Sequence, residues 1–267
     1  MIYPDGSSLA YKADHVGVAI AQAEPAFEFC RDQLGLPVAW QLARYGAVRS
    51  GGLGLGNLNL ELLDETPLLS PRHPAAIALI AFQPAPPSVE ELAATLTHRG
   101  IEYQGPITTT RGIFGFTNVL VSALGVDLTF FCTYHYPGSH DNAVRAAELA
   151  AVSGGTLGLQ GVTEVRAALD VETCSAIFGP PTGSTWRFDT GPDFVADPSI
   201  DAGSAQMTWS VRDPVAAAQA LLDLGAQCIG DLFSIAKVGG LRVRLSSTSP
   251  DRPGRLAERR AGLAQPL

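Results

Sequence analysis

The sequence predicts an α+β fold built from four βαβββ modules, two in each half of the chain. Three observations carry this reading. A strand, a helix and three strand-like runs follow one another over residues 13–65, and the same order returns over 75–136. After a turn-rich break the pattern resumes, worn from 161 and clear from 205. The chain of 267 residues is 46% hydrophobic and 16% charged, an ordinary globular composition with ample apolar material for two medium domains.

The elements follow in order. DHVGVAI is an apolar strand at 14–20. Glu24 and Pro25 suit the first turn of a helix, whose apolar positions are Phe27, Phe29, Cys30, Leu34 and Leu36, with Gly35 as its stop. LPVAWQLARYG, GAVRSGGLGLG and NLNLELLDE are strands separated by glycine-rich turns. In the second module AAIALIAFQ is a strand, and Ser88 caps a helix that Gly100 ends. IEYQGPITTT, GFTNVLVSAL and GVDLTFFCTY complete it. The third module has a strand at 161–170, the short helix VETCSAIFG, and two weak strands, STWRFDT and PDFVAD. The fourth opens with AQMTWSV. Its helix is capped by Asp213 with Pro214 at the first position, and DLFSIAKVGG and LRVRLSS close it.

Composition excludes some functions. With 18 basic and 26 acidic residues the net charge is −8, which argues against a nucleic-acid or anionic-membrane partner. The start has neither the basic nor the apolar region of a signal peptide, and no apolar run reaches membrane-spanning length, so a cytoplasmic location is expected. Cys30, Cys132, Cys174 and Cys228 are widely spaced and read as buried, reduced thiols. No Walker, GxSxG or HExxH motif is present, and GGLGLG at 51–56 lies between strands, where it reads as a hairpin or bulge.

Two strands carry unexpected polar residues. With a period of two, His15, Gly17 and Ala19 share one face, and Val16, Val18 and Ile20 share the other. In NLNLELL, Asn57, Asn59, Glu61 and Leu63 share a face opposite three leucines. A carboxylate and two carboxamides on a leucine-flanked strand are costly unless that face is functional. A strand histidine has two readings, a ligand or a hydrogen-bonded structural residue.

The stretches DHVGVAI, EPAFEFCRDQLGLPV and NLELLDE resemble the vicinal oxygen chelate superfamily, which includes glyoxalases, bleomycin-resistance proteins and extradiol dioxygenases. The resemblance covers nearly the whole chain as four modules. It implies mixed, curved sheets with helices on the convex side, paired into glyoxalase-like domains at 1–136 and 159–247, with a connection at 137–158 and a basic tail at 248–267. It also implies a divalent metal (Fe, Mn, Zn, Ni or Co) in a cup, chelated by two substrate oxygens and held by a His or Gln heading a first strand and a Glu on a fourth strand.

Carried over, His15 and Glu61 are the metal-binding and catalytic candidates of the first cup. The second module departs from the pattern, with Thr129 where glutamate would stand and Ala76 or a neighbour where histidine would stand. His135 is the nearest candidate for a third ligand, with His73 and His140 weaker. Asn57, Asn59, Thr129 and Phe131 are expected to line the substrate pocket. In the fourth module Gln206 stands at the first ligand position, but Arg244 replaces the glutamate, with Arg242 beside it. Two guanidinium groups oppose a cation, so this second cup reads as metal-free. Its arginines suit an anionic group, or they pair with carboxylates such as Glu164 or Asp189.

The leading expectation is a metal-dependent lyase, isomerase, epimerase or oxygenase acting on a small molecule with vicinal oxygens. Two others compete. One is a metal-free small-molecule or drug-sequestering binder walled by Phe114, Phe116, Phe131, Trp40 and Tyr45. The other is a metal-free enzyme using His15 as acid or base. Whether the chain forms a homodimer is left open.

Overall fold

The structure, a computed structural model, describes residues 6–45, 48–65, 77–111, 114–121, 128–135, 142–188, 190–201 and 204–248. Ala76, His73, His140 and Asp189, the side chain of Phe114, and the tail from 249 onward lie outside the described residues.

The first half forms an eight-stranded sheet. Its strands are β1 (Ala10–Ile20), β2 (Val38–Tyr45), β3 (Val48–Gly54), β4 (Asn59–Asp64), β5 (Ile77–Pro84), β6 (Tyr103–Arg111), β7 (Phe114–Val121) and β8 (Leu128–Tyr134). Their spatial order is β2-β3-β4-β1-β5-β8-β7-β6. Each module contributes four adjacent strands, and the modules meet where β1 runs antiparallel to β5. β1 and β4 pair in parallel, as do β5 and β8, so each first strand lies beside its fourth.

Helices α1 (Ala23–Glu28) and α2 (Val89–His98) cross between strands. A π-helical turn, Phe29–Gln33, extends α1. Ser88 caps α2 as its sequence predicts, accepting from the Glu91 amide. Gly35 and Gly100, at φ +68° and +67°, end these segments in the left-handed region.

The second half has α3 (Asn142–Ala151), β9 (Leu159–Ala167), α4 (Val171–Phe178), β10 (Thr185–Trp186), β11 (Asp193–Ala196), β12 (Ala205–Val211), α5 (Pro214–Asp223), β13 (Gln227–Ile229), β14 (Leu232–Ile235) and β15 (Leu241–Ser246). Its sheet has seven strands, ordered β10-β11-β9-β12-β15-β14-β13. Among the described residues the third module has one strand fewer than the others, so it is βαββ. Its first strand ends at Ala167, short of the expected 170, because Asp170 leaves the ladder to cap α4 at the Thr173 amide. Asp213 caps α5 through the amides of Val215 and Ala216.

One apolar core runs through both halves. Val16, Val18, Leu60, Leu62, Ile80 and Phe82 of the first sheet belong to the same cluster as Val165, Phe194, Met207 and Trp209 of the second. Phe82 packs at ring-centroid distances of 4.7 Å from Phe178, 5.5 Å from Phe188 and 5.3 Å from Phe194. Three cysteines, Cys30, Cys132 and Cys174, are buried and free, but Cys228 is exposed, contrary to the reading of all four as buried. It sits on β13, whose three residues all face solvent.

Asn57 belongs to this junction and not to a pocket. It lies in the turn before β4. Its Nδ2 donates to the Val162 carbonyl and its Oδ1 accepts from the Val162 amide, both at 2.8 Å. Asn57→Ala removes both bonds at a half-buried site, so a loss of about 1–3 kcal/mol is expected in urea denaturation.

Candidate functional site

The concave face of the first sheet is set by the phase of each strand. Ala19, Leu63, Leu79, Ala81, Phe130 and Cys132 form one buried cluster, separate from the core under the helices, with Phe116, Leu120 and Tyr134 packed against it. His15 stands in this face, opposite Asn59 on one side and Ala81 on the other. Gly17 is required here. A Cβ at that position would sit 2.4 Å from Leu79 Cγ and 2.9 Å from a Leu63 methyl.

A bulge in β1 assembles the polar centre. Ala13 pairs with Phe82 and His15 with Ala81, so Asp14 is an extra residue on β1. The bulge brings the Asp14 side chain onto the His15 face. Asp14 Oδ2 lies 2.7 Å from His15 Nδ1. The same oxygen accepts from the Tyr134 hydroxyl at 2.6 Å, and Oδ1 accepts from Gln83 Nε2 at 2.9 Å. His15 Nε2 lies 3.2 Å from Glu61 Oε2. The imidazole is thus gripped at both nitrogens. Its ring meets Trp40 and Phe130 edge-on, each at 5.6 Å between centroids.

The glycine-rich stretch makes room for this wall. Gly51 and Gly52 lie inside β3, not in a turn. A Cβ on Gly52 would come within 2.4 Å of the Trp40 indole, and one on Gly51 within 2.7 Å of the Phe27 ring. The hairpin bend comes after them, where the Leu55 amide donates to Leu58.

Electrostatics follow from burial. Asp14 and His15 are 3% and 5% exposed. Burial alone would lower the His15 pKa. The hydrogen bonds to Asp14 and Glu61, and the charges of both carboxylates, outweigh it and push the pKa up to about 10. Burial, with the Asp14 charge next, raises the Tyr134 hydroxyl and the Cys132 thiol well above their ordinary values. At neutral pH the centre therefore holds an imidazolium and two protonated neighbours.

The expected site residues divide as follows. His15, Glu61 and Asn59 come together; Asn59 Nδ2 lies 3.4 Å from the Asp14 carbonyl and its Oδ1 is buried without a partner. Thr129 and Phe131 do not line the cup. They pair in register with Ile80 and Phe82, and Phe131 belongs to the core on the helix side. Phe130 takes the inward place on β8. His135 is also on the wrong face. Its Nε2 lies 2.7 Å from Thr117 Oγ1, on a residue whose strand neighbours Phe116 and Asn118 pair with the inward Tyr134 and Cys132. The Tyr45 hydroxyl donates to the Gln41 carbonyl of its own strand at 3.2 Å.

In the second sheet, Gln206 pairs in register with Arg242 and Thr208 with Arg244. Arg244 donates to Gln206 Oε1 at 2.7 Å and to Asp231 at 2.9 Å. Glu164 pairs with Arg166, not with Arg242 or Arg244.

The sequence reading missed Asp14, Gln83 and Tyr134. Asp14 was visible as an ionisable residue inside an apolar strand next to a histidine, a pairing that needs a reason. Tyr134 has the parity of Phe130 and Cys132.

No protein-family model and no curated protein sequence matches the chain. Solved structures do match. A variant of homoprotocatechuate 2,3-dioxygenase from B. fuscum aligns over 94% of this chain and 75% of its own, at 14% identity and TM-score 0.55. The enzyme of the same name from Arthrobacter globiformis aligns over 94% and 84%, at 14% identity and TM-score 0.55. The chain has the extradiol-dioxygenase fold. A hypothetical protein from Staphylococcus aureus shares it, over 88% of this chain and 98% of that one, at 13% identity and TM-score 0.52. The α+β architecture read from four repeated modules therefore stands at the level of fold. Among the described residues no helix is long and apolar enough to cross a membrane.

A divalent ion is implied by the resemblance, and the donors test its fit. Among the described residues no three His, Cys, Asp or Glu side chains converge as a metal site. Two donors do face each other. His15 Nε2 and Glu61 Oε2 are 3.2 Å apart, close to the separation of about 3 Å between neighbouring donors that each bind one ion at about 2.1 Å. The bond from Nδ1 to a carboxylate is the usual support of a metal-bound histidine. These residues fit two positions of a metal site, leaving the others to a ligand.

Proposed function

We propose that the first cup is the active site of an enzyme acting on a small organic molecule with two adjacent oxygens. His15 Nε2 and Glu61 would be the residues that hold a divalent cation there. The observation carrying this reading is the Asp14–His15–Glu61 line, with Nδ1 anchored and Nε2 facing a carboxylate. Such an ion, when bound, supplies Lewis acidity toward the substrate oxygens.

The protein's part is orientation and exclusion. Asp14 fixes the ring and its tautomer, and is itself fixed by Tyr134 and Gln83. Trp40 and Phe130 keep water off the imidazole edges. The unpartnered Asn59 Oδ1 offers an acceptor to a substrate hydroxyl. To serve as a ligand, His15 Nε2 would have to give up its proton to solvent. Lyase, isomerase, epimerase and oxygenase reactions are all compatible with this apparatus.

Phe130 favours a second reading. Its ring fills the wall beside His15 with carbon, where a third donor would complete a protein-only site. A metal-free binder would use the same aromatic wall and keep the ion triad closed. Calorimetric titration with Mn²⁺, alone and with catechol as chelating probe, separates the two. Uptake that is tightened by catechol and lost in Glu61→Gln is expected. Catechol binding that is indifferent to Mn²⁺ and to Glu61→Gln would leave the binder.

A further inference from the structure

The second sheet carries a row of donors that the first cup does not use. Arg166 of β9, Gln206 of β12, Arg242 of β15 and Ser234 of β14 stand side by side in register across four adjacent strands. Their neighbours in sequence, Val165, Met207, Val243 and Leu241, belong to the core, so this row lies on the opposite face, away from the helices. Arg244 stands in the next row, between Thr208 and Leu232.

The acids near this row are already engaged. Glu164 makes a two-point ion pair with Arg166, which also reaches Asp197. Asp231 pairs with Arg244. The Arg242 side chain has no hydrogen-bond or ion-pair partner among the described residues, although the residue is half-buried. Gln206 is held by its carbonyl, which accepts from Arg244 at 2.7 Å, and this leaves its Nε2 as a donor beside Arg242. A guanidinium and an amide donor, framed by two arginines whose own charges are met, make a recognition surface for an oxyanion.

We propose that this face of the second sheet binds the carboxylate or phosphate group of a small molecule, with Arg242 as its principal partner and Gln206 as a second donor. The site is separate from the His15 cup and does not depend on the function proposed for it. The two cups would then differ in character, one enclosed around the Asp14–His15–Glu61 line, the other a polar row half-open to solvent in which Arg242 is the unmatched cation.

The test is calorimetric titration of the full chain with inorganic phosphate and, separately, with acetate, in a low-chloride buffer. Saturable binding of one or both is expected, and which of them binds tells phosphate from carboxylate recognition. Arg242→Gln is expected to weaken it about tenfold or more, the effect of removing a charged hydrogen-bond partner. Gln206→Leu is expected to weaken it less. Arg187→Gln, which removes an exposed arginine outside the row, should leave it unchanged. Circular dichroism shows whether each variant is folded; should Arg242→Gln not fold, Arg242→Lys, which keeps the charge but not the fork, is expected to weaken binding in its place. No saturable binding of either anion to the wild type, or binding equal in a folded Arg242 variant, would overturn the proposal.

Discussion

His15→Ala is expected to cost the fold about 3–5 kcal/mol, because it leaves two buried carboxylates facing a cavity with no cation between them. For a chain of this size that corresponds to a fall in Tm of roughly 10 °C. Asp14 keeps the Tyr134 and Gln83 donors, so the unmet charge falls mainly on Glu61, which is 12% exposed at its side chain. Removing that charge as well should restore part of the loss, so the pair His15→Ala with Glu61→Gln is expected to be more stable than His15→Ala alone. Glu61→Gln by itself should cost less than His15→Ala, since the amide oxygen still accepts from Nε2. Thermal denaturation in chelator measures all three. A loss below about 1 kcal/mol in His15→Ala would mean that the triad is not charged as described.

The second large effect is on pH dependence. The His15 pKa rises from 6.5 in the unfolded chain to about 10 in the fold. The folded state therefore holds a proton that the unfolded state releases. The stability it contributes is fully present below pH 6.5 and is lost as the pH rises through 10. Between those limits the unfolding free energy should fall by up to about 1.4 kcal/mol per pH unit. The buried Tyr134 and Cys132 add the same sign of effect, but only above the unfolded values of their own side chains, about 8.5 for cysteine and 10 for tyrosine. The window from pH 6.5 to 8 thus isolates His15. Urea denaturation across it should show a falling stability in the wild type and a flat profile in His15→Gln. A flat wild-type profile would show that His15 is not held as an imidazolium.

The fold was legible because it repeats. Each helix with a strong cap, at Ser88 and Asp213, lies where the sequence places it, and the recurrence of strand, helix and strands survives errors in any single element. The third module was least regular in sequence and is also the one reduced in structure.

The site was legible where a strand has contrast between its faces. β1 alternates His15, Gly17 and Ala19 with Val16, Val18 and Ile20, and β4 alternates Glu61 with leucines, so the meeting of His15 and Glu61 could be read from parity. β8 has a contrast that misleads. In LTFFCTY the face with two threonines, Thr129 and Thr133, is the one that the partner β5 turns toward the core with Phe131, while Phe130 faces the cup. Asn57 lies before β4 begins, where a period of two does not apply. Asp14 escaped for the opposite reason. The alternation of β1 places it away from His15, and only a bulge, which the sequence does not mark with a glycine, reverses that.

The central claim is that a cation sits between His15 and Glu61 when a chelating ligand is present. The direct measurement is anomalous diffraction from a crystal of the protein grown with Mn²⁺ and catechol. A manganese peak within bonding distance of both His15 Nε2 and Glu61 Oε2, with catechol oxygens on its open side, is the expected result. Catechol seated against Trp40 and Phe130 with no anomalous peak, and with His15 still bonded to Glu61, would contradict the claim and make the cup a metal-free binding site.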